Sequence, residues 1–233
     1  MYEDRLKENL PRLRDRIAQT LERSGRPPDV RIVAVTKGHP AAAVRAAFAA
    51  GLQDVGENRV QELDEKRGEL DGGDVAVTWH LIGHLQRNKV RRAVQLFDRI
   101  HSIDSLRLAR ELSSEALRAG SEVRGLIQVN VSGEASKGGF AGDGAVEAIA
   151  QVAGLPALRC DGLMTMAPLT ADERAVRATF AGARLLLERC MREGVTLSGT
   201  ELSMGMSGDY EIALEEGSTM LRLGTILFGE RTQ

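Results

Sequence analysis

The chain has 233 residues, of which 42% are hydrophobic and 27% charged, and its formal net charge of −2 at pH 7 gives no sign of a nucleic-acid or anionic-membrane partner. The charged N-terminus lacks the apolar stretch of a signal peptide, and no segment approaches the ~18 apolar residues of a membrane-spanning helix. The two cysteines, Cys160 and Cys190, lack metal-ligand spacing, which is typical of reduced thiols in a cytoplasmic protein.

The first predicted element is an amphipathic helix over residues 2–24. Apolar residues recur there at spacings of three and four, and Ser24-Gly25 and Pro27-Pro28 end it. Strand and helix patterns then alternate along the chain. The predicted strands cover residues 30–36, 53–55, 78–82, 98–103, 123–131, 158–164, 200–203 and 219–223. The predicted helices between and after them cover residues 40–50, 59–67, 87–96, 105–119, 142–153, 171–193 and 209–216.

This alternation predicts a parallel sheet, because consecutive parallel strands need a crossover connection. Eight such units in about 200 residues predict an α/β fold, a (β/α)8 TIM barrel with one extra N-terminal helix. The alternative is an open doubly wound sheet, which would carry a Gly-rich dinucleotide-binding turn after its first strand. Residues 36–40, Thr-Lys-Gly-His-Pro, are not such a turn. No Pro- or Ser-rich linker interrupts the pattern, so residues 1–233 are expected to form a single domain.

Lys37 ends the first predicted strand and precedes Gly38-His39-Pro40. Active-site residues of a barrel lie at the carboxyl ends of its strands. A partly desolvated lysine amine at that position is neutral often enough to attack a carbonyl group and form a Schiff base. The alternative is a structural lysine whose ammonium group reaches solvent at the strand end.

The loops after the seventh and eighth strands contain Ser203, Gly205, Ser207, Gly208 and Gly224. Barrel proteins often hold a phosphate in these two loops. Glycines let backbone N–H groups come close to an anion, and Ser207 precedes a predicted helix whose amino end attracts negative charge. The alternative is that these residues only form turns, with Ser207 as a helix N-cap.

Arg222 is expected to point into the barrel mouth. Side chains alternate along a strand, which places Met220, Arg222 and Gly224 on one face and the intervening leucines on the other. A buried guanidinium needs an acceptor, and an ion pair with a barrel carboxylate is the alternative explanation. An amine, two phosphate-binding loops and an inward arginine together fit pyridoxal 5′-phosphate, with Arg222 facing the pyridine nitrogen.

Six segments of the chain, in order, resemble the pyridoxal phosphate homeostasis protein family, whose fold is similar to the N-terminal barrel of alanine racemase (fold type III among pyridoxal phosphate proteins). They are residues 33–37, Val-Ala-Val-Thr-Lys; 56–62, Gly-Glu-Asn-Arg-Val-Gln-Glu; 79–86, Trp-His-Leu-Ile-Gly-His-Leu-Gln; 162–168, Gly-Leu-Met-Thr-Met-Ala-Pro; 202–207, Leu-Ser-Met-Gly-Met-Ser; and 222–231, Arg-Leu-Gly-Thr-Ile-Leu-Phe-Gly-Glu-Arg.

The resemblance implies a role for nine residues in cofactor binding. Lys37 forms the Schiff base, Arg222 lies by the pyridine nitrogen, and the phosphate contacts are Ser203, Gly224 and Thr225. The remaining motif residues line the cofactor, and these are Asn58, His84, Met204 and Ser207.

The predicted function is to bind, carry or buffer pyridoxal phosphate in the cell without efficient catalysis. A protonated arginine facing the pyridine nitrogen disfavours protonation there and weakens the ring as an electron sink. A racemase would need a second acid or base, which in alanine racemase comes from an extra domain that is not expected here. Tyr210 is a weak candidate for that acid. The alternative function is an amino-acid racemase of the same fold.

Further expectations concern the histidines and the partners. His39, His80 and His101 are expected to be structural. Apoenzymes that depend on pyridoxal phosphate are the expected recipients of the cofactor. The protein is expected to be a cytoplasmic monomer.

Overall fold

The computed structural model describes residues 1–70, 75–134 and 138–230. Its strands are β1 (Arg31–Val35), β2 (Asp54–Glu57), β3 (Thr78–Leu81), β4 (Arg99–Ile103), β5 (Val123–Gln128), β6 (Leu158–Met164), β7 (Glu201–Ser203) and β8 (Met220–Leu223). All are parallel and close into a barrel in chain order, with β8 paired to β1. The (β/α)8 barrel predicted from the sequence is therefore confirmed.

Helices surround this barrel. They are α1 (Tyr2–Ser24), α2 (Ala41–Ala49), α3 (Val60–Leu70), α4 (Val90–Leu96), α5 (Leu106–Ala119), α6 (Ala145–Ala153), α7 (Glu173–Arg192), α8 (Tyr210–Glu215) and α9 (Thr225–Phe228). A 3₁₀ turn at Arg87–Lys89 precedes α4, so the regular helix begins later than the sequence pattern indicates. The pattern did not predict α9, because one helical turn is too short to show a period. Of the described helices, none is long and apolar enough to cross a membrane.

The helix α1 packs against helices from both the beginning and the later part of the described chain. Its apolar stripe is buried against the neighbouring helices α2, α8 and α9, and it ends at Gly25, whose φ of 64° is a left-handed conformation that favours glycine. Arg5 donates a hydrogen bond to the carbonyl oxygen of Phe228, and Asn9 donates one to that of Leu227 at 3.3 Å. The last turn of the described chain is therefore bonded to the first helix.

The core consists of two layers. The larger layer lies between the barrel and the helices and includes Leu221 and Leu223. The inner layer is a small apolar cluster inside the barrel, formed by Val33, Leu126, Met164 and Met220. Buried polar residues occupy much of the remaining interior, namely His80, His101, Ser203 and Arg222. Barrel interiors are ordinarily filled by branched apolar residues, so these buried polar residues distinguish the interior of this barrel.

Ion pairs close the opposite end of the barrel, where the strands begin. Arg99 pairs with Glu201 and, at 3.2 Å, with Asp161. Arg124 also contacts Asp161 at 3.0 Å, and Arg31 contacts Glu201 at 3.3 Å. Charges at this end satisfy one another, which fits its general role in stability rather than chemistry.

Candidate functional site

A cavity of about 750 Å³ opens at the carboxyl ends of the strands. It collects residues that are far apart in the sequence, because parallel strands of a barrel all end at the same mouth. Of the residues predicted for the site, the structure places in its lining Lys37, Asn58, His84, Ser207, Arg222, Gly224 and Thr225. Ser203 and Met204 lie outside this lining.

Lys37 is half-buried at the end of β1, and a buried cluster fixes the backbone on both sides of it. The Lys66 ammonium donates hydrogen bonds to the carbonyl oxygen of Thr36 at 2.8 Å and to the Glu57 carboxylate at 2.6 Å. The N–H of Gly38 donates to Glu62. Burial raises the pKa of Glu57 to about 7, although Lys66 acts in the opposite direction. These contacts fix the backbone of Thr36 and Gly38, and thereby the position of Lys37 in the cavity wall.

The loops after β7 and β8 meet at one side of the cavity. The hydroxyl oxygen of Ser207 accepts a hydrogen bond from the N–H of Ile226 at 3.3 Å, which joins the two loops. The approach is close at Gly224, where a Cβ would stand 3.1 Å from the Val35 carbonyl oxygen. Gly205 has a φ of 95° and would place a Cβ 2.6 Å from that of Ala213. These two glycines therefore allow a close packing of the two loops against their neighbours that a residue with a side chain would prevent.

Two carboxylates of the neighbouring turn, which would compete with a bound anion, have other partners. Asp209 accepts a hydrogen bond from the N–H of Met206 at 2.5 Å, and Glu211 pairs with Arg16 at 3.0 Å. Burial raises the pKa of Asp209, and the hydrogen bond from Met206 acts in the opposite direction.

Arg222 lies at the floor of the cavity and is 4% exposed. Its guanidinium donates to the carbonyl oxygens of Ser203 at 2.8 Å and of Thr165 at 3.0 Å, and to the Ser203 hydroxyl at 2.7 Å. Burial lowers its pKa to about 10, so it stays protonated at neutral pH. None of its described contacts is a carboxylate, so the ion pair considered from the sequence is replaced by neutral oxygen acceptors.

Ser203, which the resemblance assigns to the phosphate, lies outside the lining of this cavity. Its hydroxyl is fully buried between Arg222 and Nδ1 of His101, which lies 3.0 Å away. The hydroxyl therefore contacts the Arg222 guanidinium, and its contact with a phosphate stays a prediction. Met204 is fully buried in the outer core, where it packs with helix residues.

Two polar residues of the lining, Asp104 and Gln128, are not among the predicted site residues. Asp104 follows β4 directly, and its carboxylate lies 2.8 Å from Nδ1 of His84. Gln128 ends β5 and donates to the carbonyl oxygen of Gly138 at 2.9 Å. Asp104 directly follows the predicted fourth strand, so the rule that active-site residues follow barrel strands would have identified it. Gln128 lies inside the strand predicted over 123–131, so the same rule would have missed it.

A barrel with a lysine at the end of its first strand and an arginine on its eighth matches the family described as "Alanine racemase, N-terminal domain", whose model covers residues 8–232. The alanine racemase of Clostridium difficile 630 has the same fold, with a TM-score of 0.78 at 17% identity over 99% of this chain and 58% of that one.

Within that class, the chain belongs to the pyridoxal phosphate homeostasis protein family. It is 43% identical to the protein of that name from Pseudomonas aeruginosa over 96% of this chain and 95% of the relative. The Escherichia coli K12 protein of the same name is 39% identical, with the same coverage. PipY of Synechococcus elongatus, solved with PLP bound, is 42% identical with a TM-score of 0.80, over 91% of this chain and 100% of that one.

Proposed function

We propose that this protein binds pyridoxal 5′-phosphate through Lys37 and contributes to the intracellular homeostasis of that cofactor by binding, carrying or buffering it. The observation that carries the proposal is that Lys37, Arg222 and the loops after β7 and β8, which contain Ser207 and Gly224, all line one cavity. The names of the relatives and the PLP bound in PipY support it.

The residues present fit this group. Lys37 supplies a half-buried amine at the cavity wall, and the buried guanidinium of Arg222 supplies a fixed positive charge at the floor. Gly224 borders the cavity, and the absence of a Cβ lets its backbone pass close to the Val35 carbonyl oxygen. When bound, pyridoxal phosphate supplies an aldehyde that reacts reversibly with primary amines.

We assign each side of the cavity a part in holding the cofactor. Lys37 bonds the aldehyde carbon, and Arg222 faces the pyridine nitrogen. Ser207, Gly224 and Thr225 hold the phosphate, and Asn58 and His84 line the rim. In this assignment Ser203 acts on Arg222 instead of on the phosphate, and Met204 supports the loop from the core.

The electrostatics of the cavity floor support a role without efficient turnover. An arginine that stays protonated beside the pyridine nitrogen disfavours a proton on that nitrogen, and it thereby weakens carbanion stabilisation by the ring. Among the described residues of the lining there is no tyrosine to serve as a second acid. We further propose a single-domain monomer, residues 1–233, that acts in the cytoplasm and gives the cofactor to apoenzymes.

A second candidate function, an amino-acid racemase of the same fold, is favoured by one observation. His84 and Asp104 form a hydrogen-bonded pair in the cavity wall, and a carboxylate-oriented imidazole is a suitable general acid or base. Incubating the loaded protein with single-enantiomer amino acids, alanine included, separates the two functions. Sustained turnover that His84→Ala abolishes would replace the homeostasis role with the racemase.

The direct test of cofactor binding is the visible absorption spectrum of purified protein mixed with pyridoxal phosphate, before and after borohydride. We expect a visible band that borohydride removes, with the reduced adduct on the peptide that contains Lys37. Lys37→Ala is expected to abolish both signals, whereas the control Lys89→Ala, beside the adjoining cavity, retains them. A reducible adduct that persists at another lysine in Lys37→Ala would contradict the assignment.

A further inference from the structure

A hydrogen-bonded chain of five side chains crosses the barrel interior from one mouth to the other. Asp54 Oδ1 lies 2.8 Å from His80 Nε2, and His80 Nδ1 lies 2.8 Å from His101 Nε2. His101 Nδ1 lies 3.0 Å from the Ser203 hydroxyl, which lies 2.7 Å from Arg222 Nη1. We call this set the relay; its members are Asp54, His80, His101, Ser203 and Arg222. Strands β2, β3, β4, β7 and β8 each contribute one member.

The two ends of the relay determine its direction. A guanidinium only donates hydrogen bonds, and an ionised carboxylate only accepts them. With both rings neutral, Ser203 accepts from Arg222 and gives its own hydrogen to His101. His101 then donates through Nε2 to His80, which donates through Nε2 to Asp54. Each ring nitrogen has one role, and both histidines must be the Nε2–H tautomer.

Electrostatics favour these protonation states. Burial lowers the pKa of His80, against the raising effect of Asp54. Burial also lowers the pKa of His101 well below its usual value, and the charges of Arg222 and of Arg99 act in the same direction. Although burial opposes it, the hydrogen bond from His80 keeps the pKa of Asp54 below its usual value. The two histidine rings are therefore neutral and lie between the Asp54 carboxylate and the Arg222 guanidinium.

The relay links the positive charge of Arg222 to a carboxylate, whereas the direct hydrogen-bond partners of Arg222 are all neutral oxygens. Asp209 attracts the guanidinium through space but makes its own hydrogen bond to Met206. Asp54 provides the negative end of a chain in which every bond polarises the next in the same direction. A buried guanidinium with an uncompensated charge would be costly, and the relay distributes the compensation across the barrel.

Two other roles for the histidines do not fit. Both nitrogens of each ring are used within the relay, and the described residues contain no group of three or more His, Cys, Asp or Glu placed to hold a metal ion. Proton conduction would end at Arg222, which does not release a proton at neutral pH. The geometry therefore suits positioning rather than ligation or transport.

We propose that Asp54, His80, His101 and Ser203 are positioning residues for Arg222, which fix its guanidinium in the cofactor cavity and make that position depend on a carboxylate at the opposite mouth. Asp54 lines a separate cavity of about 630 Å³ at the amino ends of the strands. The effect on the cofactor rests on the proposed function, whereas the relay itself does not.

The relay is tested first without cofactor, by nitrogen-15 NMR of the imidazole rings. We expect His80 and His101 to be neutral Nε2–H tautomers in the folded protein. Ser203→Ala removes the only hydrogen that His101 Nδ1 accepts, so the resonance of that nitrogen should shift while circular dichroism stays unchanged. The proposal would be overturned by a protonated His80 or His101 ring, by an Nδ1–H tautomer of either ring, or by a His101 Nδ1 resonance that does not shift in Ser203→Ala.

Coupling to the cavity is tested with pyridoxal phosphate. Asp54→Ala at the far mouth is expected to weaken its binding roughly tenfold, because the relay loses the carboxylate on which the position of Arg222 is proposed to depend. The matched control is Glu201→Gln, which alters the same mouth and contacts Arg31 and Arg99 but lies outside the relay. Equal affinity in both variants refutes the coupling. If the unaltered protein binds no pyridoxal phosphate, the proposed function fails, and the tautomers alone decide the relay.

Discussion

The ammonium of Lys66 lies 2.6 Å from Oε1 of Glu57 in the buried layer behind β1. The same carboxylate oxygen accepts from the Thr36 hydroxyl at 2.5 Å. The other oxygen, Oε2, is buried and has no hydrogen-bond partner among the described residues. The pair therefore anchors the strand end that carries Lys37, and it does so with one carboxylate oxygen left unsatisfied.

Lys66→Met is expected to destabilise the fold by about 3 kcal/mol, because it leaves the Glu57 carboxyl group buried without its cation. Urea unfolding measures the change in the free energy of unfolding. Lys7→Met, which removes an exposed lysine of α1, is the control and should change stability little. Adding Glu57→Gln to Lys66→Met should recover part of the loss; an equal or greater loss in the double variant would contradict this account.

Glu57 should also make stability depend on pH. Its folded pKa of about 7 lies above the ordinary 4.5, so between these values the folded chain keeps a proton that the unfolded chain has lost. The free energy of unfolding therefore falls as pH rises through this window. Glu57→Gln should reduce that fall, as measured by urea unfolding on both sides of the window. An unchanged slope would mean that Glu57 is ionised throughout.

Gly224→Ala should weaken pyridoxal phosphate binding roughly tenfold. The new methyl group would stand 3.1 Å from the Val35 carbonyl oxygen, so the backbone must move where the phosphate is proposed to bind. Gly208→Ala is a matched control, since Gly208 lines the same cavity but a Cβ there would meet nothing within 4 Å. Absorbance titration gives both affinities, and equal weakening would show that Gly224 has no special part.

Gly162→Ala should cost about 3 kcal/mol or more, independently of any ligand. Gly162 has a φ of 151°, and a Cβ there would overlap the backbone of Glu201 on the adjacent strand β7. Gly154→Ala, where the nearest atom is an ordinary 3.4 Å away, should be tolerated. Thermal unfolding monitored by circular dichroism compares them, and similar stabilities would show that β6 and β7 can separate at little cost.

Cys160 and Cys190 should not react with a disulfide reagent until the protein unfolds. Both are buried, and burial raises the pKa of the Cys160 thiol to about 12, so its reactive thiolate is scarce. We expect both thiols to be titrated in denaturant and neither in native buffer. Rapid reaction of the native protein would contradict the packing described for β6 and α7.

The sequence predicted the barrel well because strand and helix patterns alternate along the chain, most clearly where an apolar strand such as β1 or an amphipathic helix such as α5 or α7 occurs. The strand over residues 158–164 is predicted with its observed bounds. The strand predicted over 123–131 ends at Gln128 instead, and Val129 forms only an isolated bridge with Phe140. The local sequence pattern does not show where a strand stops pairing with its neighbour in the sheet.

The site was predicted less completely than the fold. Lys37 and Arg222 were found because they follow from strand position and alternation. The partners of Arg222 were not found, since His101 and Ser203 are 102 residues apart in sequence and meet only across the closed barrel. Histidines that looked structural are indeed buried, but their arrangement depends on strand register, which the sequence pattern does not specify.

The bonds from Arg5 and Asn9 to the carbonyl oxygens of α9 constrain the order in which the protein can mature. Lys37 is synthesised well before Arg222 and the turn that follows Gly224. Closing the barrel requires contacts of very large sequence separation, which form late and slowly. A nascent chain that includes Lys37 but not Arg222 therefore lacks the closed barrel, and the cavity forms only once α9 has been made.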